Sequence, residues 1–78
     1  MGNVVHPKIQ RTSVMIKLDK VSIVEAWCLK NVGPRLFHLH TSRGGEGWLI
    51  KKSVGSWIFE LEDGRQMTMA LLVLGDKL

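Results

Sequence analysis

Residues 35–62 read RLFHLHTSRGGEGWLIKKSVGSWIFELE. Within them Phe37, Leu39 and Thr41 alternate with Leu36, His38 and His40. Trp48 and Ile50 alternate with Leu49 and Lys51, and Trp57, Phe59 and Leu61 alternate with Ile58, Glu60 and Glu62. A side-chain period of two belongs to pleated strands, whose successive residues point to opposite faces. The stretch therefore predicts three antiparallel strands sharing one apolar face. Residues 42–47 contain Gly44, Gly45 and Gly47 and are expected to form a bulged hairpin loop, with a shorter turn at Val54, Gly55 and Ser56. The expected core is Trp27, Trp48, Trp57, Phe37, Leu39, Ile50, Phe59 and Leu61. The opposite face then carries Arg35, His38, His40, Leu49, Lys51 and Ile58.

Upstream, residues 12–18 alternate again, with Val14, Ile16 and Leu18 opposed to Met15 and Lys17, and predict a further strand. Ser22, Ile23, Val24 and Glu25 spell a capping box, in which the serine oxygen takes an orphan amide and the glutamate reaches back to the serine amide. A helix is expected from there to about Val32, closed by Gly33 in a left-handed conformation and stopped by Pro34. Val24, Trp27 and Cys28 share one helical face. A competing strand reading ignores both caps and places Glu25 in the core. Residues 1–11 include Pro7 and show no periodicity, as in an arm that is ordered only on docking.

Downstream, Asp63-Gly64 is a hairpin signal, whereas Asp63 to Gln66 is also a capping box and Met67, Ala70, Leu71 and Leu74 recur at helical spacing. The favoured reading is a short helix over 64–70 and a strand over 71–74, because Met, Gln and Ala are poor strand formers while Leu-Leu-Val-Leu suits a buried edge. The expected fold is therefore α+β. It is a single small domain over residues 12–78, an antiparallel meander with one or two helices packed on its apolar face.

With 78 residues the chain buries only about 60% of the surface its unfolded form exposes, so its core is thin. A lone Cys28 excludes an internal disulfide and fits a reducing compartment. The longest apolar run, residues 70–74, is far too short to span a bilayer, so a soluble, cytoplasmic protein with no membrane role is expected. Net charge is +4 and asymmetric: residues 1–52 hold nine Lys or Arg against three acids, whereas 53–78 hold two against four. A basic end attracts nucleic acid or an acidic protein surface.

The chemical motifs are weak. His38 and His40 on one strand face would give two ligands of a metal site, but the third would have to be Glu60, about 10 Å away across the sheet, or His6. No metal or cofactor is expected. Cys28 lies mid-helix on the packing face, where a thiol acts as a small hydrophobe, and Glu60 and Glu62 beside Lys51 suit cross-strand pairing better than acid and base work. No catalytic residue is assigned, and a metal- or thiol-dependent enzyme ranks last. The turn Arg43 to Gly47 lacks the lysine and hydroxyl of a phosphate loop. Its amides, beside Arg43, Lys51 and Lys52, still suit a phosphate or a carboxylate. All five aromatics are better used in the core, which weakens a base-stacking nucleic-acid sheet.

Trp27-Cys28 with Asn31-Val32-Gly33, then Gly44-Gly45-Glu46-Gly47-Trp48, then Phe59-Glu60-Leu61-Glu62-Asp63 before an apolar tail, resembles small accessory proteins of phages and other mobile elements. The resemblance spans about half of the chain. It implies a stand-alone binder that modulates a host macromolecule, and no functional residue is carried over from it. The leading expectation is a small non-enzymatic protein-binding module whose contacts are Arg35, His38, His40, Arg43, Lys51 and Lys52, with an acidic partner or a second copy bound. The second is a nucleic-acid binder using phosphate contacts.

Overall fold

A computed structural model describes residues 11–78, so the expected arm lies, except for Arg11, outside the described residues. The elements run β1 (Thr12–Ile16), α1 (Val21–Asn31), β2 (Arg35–His38), β3 (Ser42–Gly45), β4 (Trp48–Ser53), β5 (Ser56–Leu61) and α2 (Gly64–Leu74). Short 3-10 turns precede α1 at Leu18–Lys20 and follow α2 at Gly75–Lys77. The five strands form one antiparallel sheet in the order β1-β5-β4-β3-β2. The α+β class and the meander are as the sequence indicates. Every pairing in that order is antiparallel, so β1 and β2 occupy opposite edges yet run in the same direction, and α1 crosses between them.

Alternation sets the faces. Ile16, Trp48, Ile50, Trp57, Phe59 and Leu61 point inward and are buried together with Val21, Val24 and Cys28 of α1 and Met67, Ala70 and Leu74 of α2. Each helix contributes residues spaced three and four apart, which is the stripe an α-helix turns toward a sheet. Fully burying each large side chain contributes about 1.5–3 kcal/mol, so this one cluster supplies most of the stability available to so short a chain.

Four expectations are corrected. The glycine-rich segment is not a loop but a strand: Ser42, Arg43, Gly44 and Gly45 pair with Lys51, Ile50, Leu49 and Trp48. The meander therefore has four strands rather than three. The turns fall instead at residues 39–41 and at Glu46-Gly47, where Gly47 takes a φ of 84°. Gly55 does the same in the next turn, with a φ of 74°.

Second, β2 has a bulge at Leu36: Arg35 faces Gly45 and Phe37 faces Gly44. The extra residue reverses the alternation, so Phe37 leaves the core side and lies against Gly44 on the outer face. Leu39, also expected inside, is 60% exposed in the following turn.

Third, the residues after Ala70 do not form a strand. The helix continues to Leu74, with Asp63 as its N-cap, because Met67, Ala70 and Leu74 lie on one buried face.

Fourth, Ser22 does not cap α1. The helix starts at Val21 after Lys20, and no described side chain caps it. Gly33 does not adopt a positive φ. It is a close-approach glycine, since a β-carbon there would come within 2.5 Å of the Glu46 carbonyl oxygen.

The α1–β2 connection is tied to the first hairpin. The Trp48 indole Nε1 donates to the Gly33 carbonyl at 2.9 Å, and the Glu46 amide donates to the Pro34 carbonyl at 3.0 Å. This seam fixes where β2 and β3 sit relative to the helix.

Candidate functional site

The six basic residues singled out in the sequence fall on β2, β3, β4 and the turn between β2 and β3, but not on one face. Arg35 and Arg43 point inward, toward α1. Their partner is Glu25, which is 6% exposed and so lies in the core. The Arg35 guanidinium meets Glu25 Oε2 through Nη2 at 2.8 Å and Nε at 3.0 Å, and Arg43 Nη1 lies 3.4 Å from Oε1. Arg43 also stacks over the Trp57 ring, 5.6 Å from its centroid. A guanidinium suits this position because its plane serves an aromatic face and a carboxylate at once. Arg43 is therefore a structural cation, and its Nε is buried without a hydrogen-bond partner among the described residues.

The buried Glu25 does not cap its helix; it clamps α1 to β2 and β3. One carboxylate with two guanidiniums leaves a net positive charge beneath the sheet edge. Arg35 remains accessible there, with a side chain 42% exposed.

The other four basic residues are exposed. His38 ends β2 opposite Arg43, on the inner side after the bulge, and His40 lies in the turn. The two imidazoles thus do not share a strand face as their spacing suggests. His6 lies outside the described residues. Among the described residues no group of three His, Cys, Asp or Glu side chains is placed to hold a metal ion. Lys51 points outward and lies 3.9 Å from Glu60, which Arg11 also approaches at 3.7 Å. Lys52 sits opposite Trp57, on the inner side, beyond the end of the covered core.

Arg35, His38 and His40 lie on or beside one edge of the sheet. β2 is the terminal strand of the order, all four of its residues are exposed, and Leu36 is 69% exposed. With Phe37 and Leu39, it gives an apolar strand edge bordered by Arg35, His38 and His40. Sequence reading found the cations but missed the edge, because it took the inserted residue at Leu36 for part of a regular alternation. The signal was available in the pair Gly44-Gly45, which offers no side chain for a facing residue to pack against and marks a close backbone approach.

The remaining chemistry is quiet. The Cys28 thiol is fully buried, and burial, followed by the nearby Glu25 charge, pushes its pKa up to about 12. It is a neutral packing group at physiological pH and not a nucleophile. Trp48, Trp57 and Phe59 are buried and Trp27 is packed against the core, whereas Phe37, expected in the core as well, is 39% exposed on the outer face. No described helix is long and apolar enough to cross a membrane. No protein-family model matches the chain, and comparison with curated proteins and with solved structures finds no match either.

Proposed function

We propose that the chain is a non-enzymatic protein-binding module that receives an extended, acidic segment of its partner along the β2 edge. The observation that carries this reading is the exposed terminal strand itself, with Leu36, Phe37 and Leu39 exposed and Arg35 accessible at its start. An open edge offers unpaired backbone groups to an added strand, and alternating side chains on that strand find the neighbouring pockets and charges. With Arg43 held by Glu25 and Lys51 beside Glu60, the accessible Arg35 and Lys52 are the charges that favour a partner rich in Asp and Glu. The buried, protonated thiol supports a binding role over a thiol-dependent enzyme. A host macromolecule as target follows from the resemblance to accessory proteins of mobile elements.

The test uses the full chain with a photo-crosslinking residue at position 36, incubated in lysate, and the crosslinked segments sequenced. Acidic, extended partner segments that disappear in Leu39→Glu are expected. Indiscriminate labelling, or labelling unchanged by Leu39→Glu, overturns the reading. The Lys51, Lys52 and Arg35 charges favour a second reading, phosphate-backbone binding. It is tested by titrating short DNA and RNA duplexes at rising salt, where log affinity falls linearly with log salt if phosphates are neutralised.

A further inference from the structure

The buried stripe of α2 is Met67, Ala70 and Leu74. On the opposite side of the same helix, Arg65, Met69 and Leu72 follow one another at steps of four and three residues, and Asp76, four residues further on, stands in the 3-10 turn that follows the helix. All four are exposed, Leu72 at 77%. Those steps return to one side of a helix every second turn and form the seam by which two helices pack. Val73, 57% exposed, and Thr68 border the seam on its two sides. The stripe is apolar in its middle, cationic at its start and anionic at its end.

The pattern is self-complementary. If two copies of α2 lie antiparallel about a two-fold axis through the point midway between Met69 and Leu72, two kinds of pair form simultaneously. Met69 meets Leu72 of the other copy, and Arg65 meets Asp76. A two-fold interface repeats each pairing, so one register satisfies all of them twice. The charges are suited to it. Asp76 makes no ion pair among the described residues and sits at the C-terminal end of α2, where the helix dipole disfavours a carboxylate. In the antiparallel pair it faces the positive N-terminal end of the other helix. Arg65 uses Nε and Nη2 on Asp63, at 3.0 and 2.9 Å, so three of its five N–H donors are free for a second carboxylate.

We infer that α2 is a homodimer interface, with a second copy of this chain seated antiparallel along Arg65, Met69, Leu72 and Asp76. This surface is separate from the β2 edge and does not depend on that reading.

A seam three turns long is at the small end of specific interfaces, so association is measured by sedimentation equilibrium at chain concentrations up to on the order of 100 μM. The native chain is expected to dimerise. Leu72→Glu is expected to be monomeric. Arg65→Glu alone and Asp76→Arg alone are each expected to be monomeric, because each juxtaposes like charges twice. Mixed, the two charge variants are expected to form a heterodimer, since one then carries cations at both ends of the seam and the other carries anions at both. That rescue also shows both variants to be folded. A native chain that stays monomeric overturns the inference, as does a dimer indifferent to all three substitutions or a mixture that fails to associate. A dimer lost instead in Leu36→Lys places the second copy on β2 and overturns it equally.

Discussion

Glu25 on α1 holds Arg35 on β2 through two contacts to a single carboxylate oxygen, at 2.8 and 3.0 Å, from a position that is almost wholly withdrawn from water. Its other oxygen reaches Arg43 on β3. The helix is thereby joined to the exposed edge of the sheet by charge, where elsewhere it is joined by packing. Replacing a buried ion cluster with apolar groups is often neutral, but removing one member leaves the others buried and unpaired.

Glu25→Ala is accordingly expected to cost about 3–5 kcal/mol in urea unfolding, because Arg43 pairs with no second carboxylate among the described residues. Arg43→Glu is expected to be comparably damaging, since it sets two carboxylates together. The sequence alone suggests that Arg43→Glu combined with Lys51→Glu spares the fold; with Arg43 stacked on Trp57 and paired with Glu25, the Arg43 change is instead expected to damage it. A Glu25→Ala chain that unfolds at the native urea midpoint would refute the clamp.

Two glycines should respond oppositely to alanine. A β-carbon on Gly45 would overlap the Pro34 carbonyl oxygen and the Trp48 indole nitrogen, both in the seam that positions the first hairpin. Gly45→Ala is expected to cost about 3 kcal/mol or more. Gly75 has helical backbone angles and open space around it, so Gly75→Ala is expected to stabilise by roughly 0.4–1 kcal/mol through the unfolded chain. Thermal melting of the pair checks both signs.

Cys28 should resist thiol alkylation in the folded chain and react at full rate only once urea unfolds it. Its folded pKa of about 12 lies above the ordinary 9.0, so the proton is held more tightly when folded. Its stabilising contribution is complete below pH 9.0 and is lost as pH rises toward 12. Melting temperatures across that alkaline range should fall less steeply in Cys28→Ala. Rapid labelling of the native chain would show the thiol to be accessible.

Asp63 behaves in the opposite sense. Its carboxylate accepts from the Arg65 side chain and then from the Arg65 amide, which lowers its pKa below the usual 3.8. The helix-capping contribution is therefore present above that value and fades as pH falls through the folded pKa. Asp63→Asn keeps an acceptor for the amide but loses the ion pair. It should flatten the acid side of the stability profile, as followed by helical circular dichroism; an unchanged acid limb would assign that limb to other carboxylates.

The sheet was readable because its strongest signal, the alternation of Trp48, Ile50, Trp57, Phe59 and Leu61, coincides with what packing requires. The rest depended on contacts between residues distant in sequence. Ser22 and Glu25 match a helix cap, yet tertiary charge recruits Glu25 into the core, and the helix starts two residues earlier, at Val21 after Lys20. Gly44 and Gly45 match a loop, yet they form a strand, because the adjacent backbone and the Phe37 and Trp48 rings occupy the space where side chains would stand. Leu71 to Leu74 matches a strand locally but continues a helix whose other turns are already anchored. The candidate edge was hidden for the same reason: one extra residue in β2 is invisible to a period-two count until its partner strand is known.

The antiparallel pairing of β1 with β5 joins Thr12 to Leu61 and Ile16 to Trp57, partners 49 and 41 positions apart. Closing so large a span costs chain entropy before any contact repays it, whereas the meander needs only neighbouring hairpins. During synthesis β1 emerges before every other strand and must wait for β5, the last of them, before its edge position exists. Completion of the sheet is thus a late event in biogenesis, and Met15 and Ile16 are the residues a chaperone would meet while they wait.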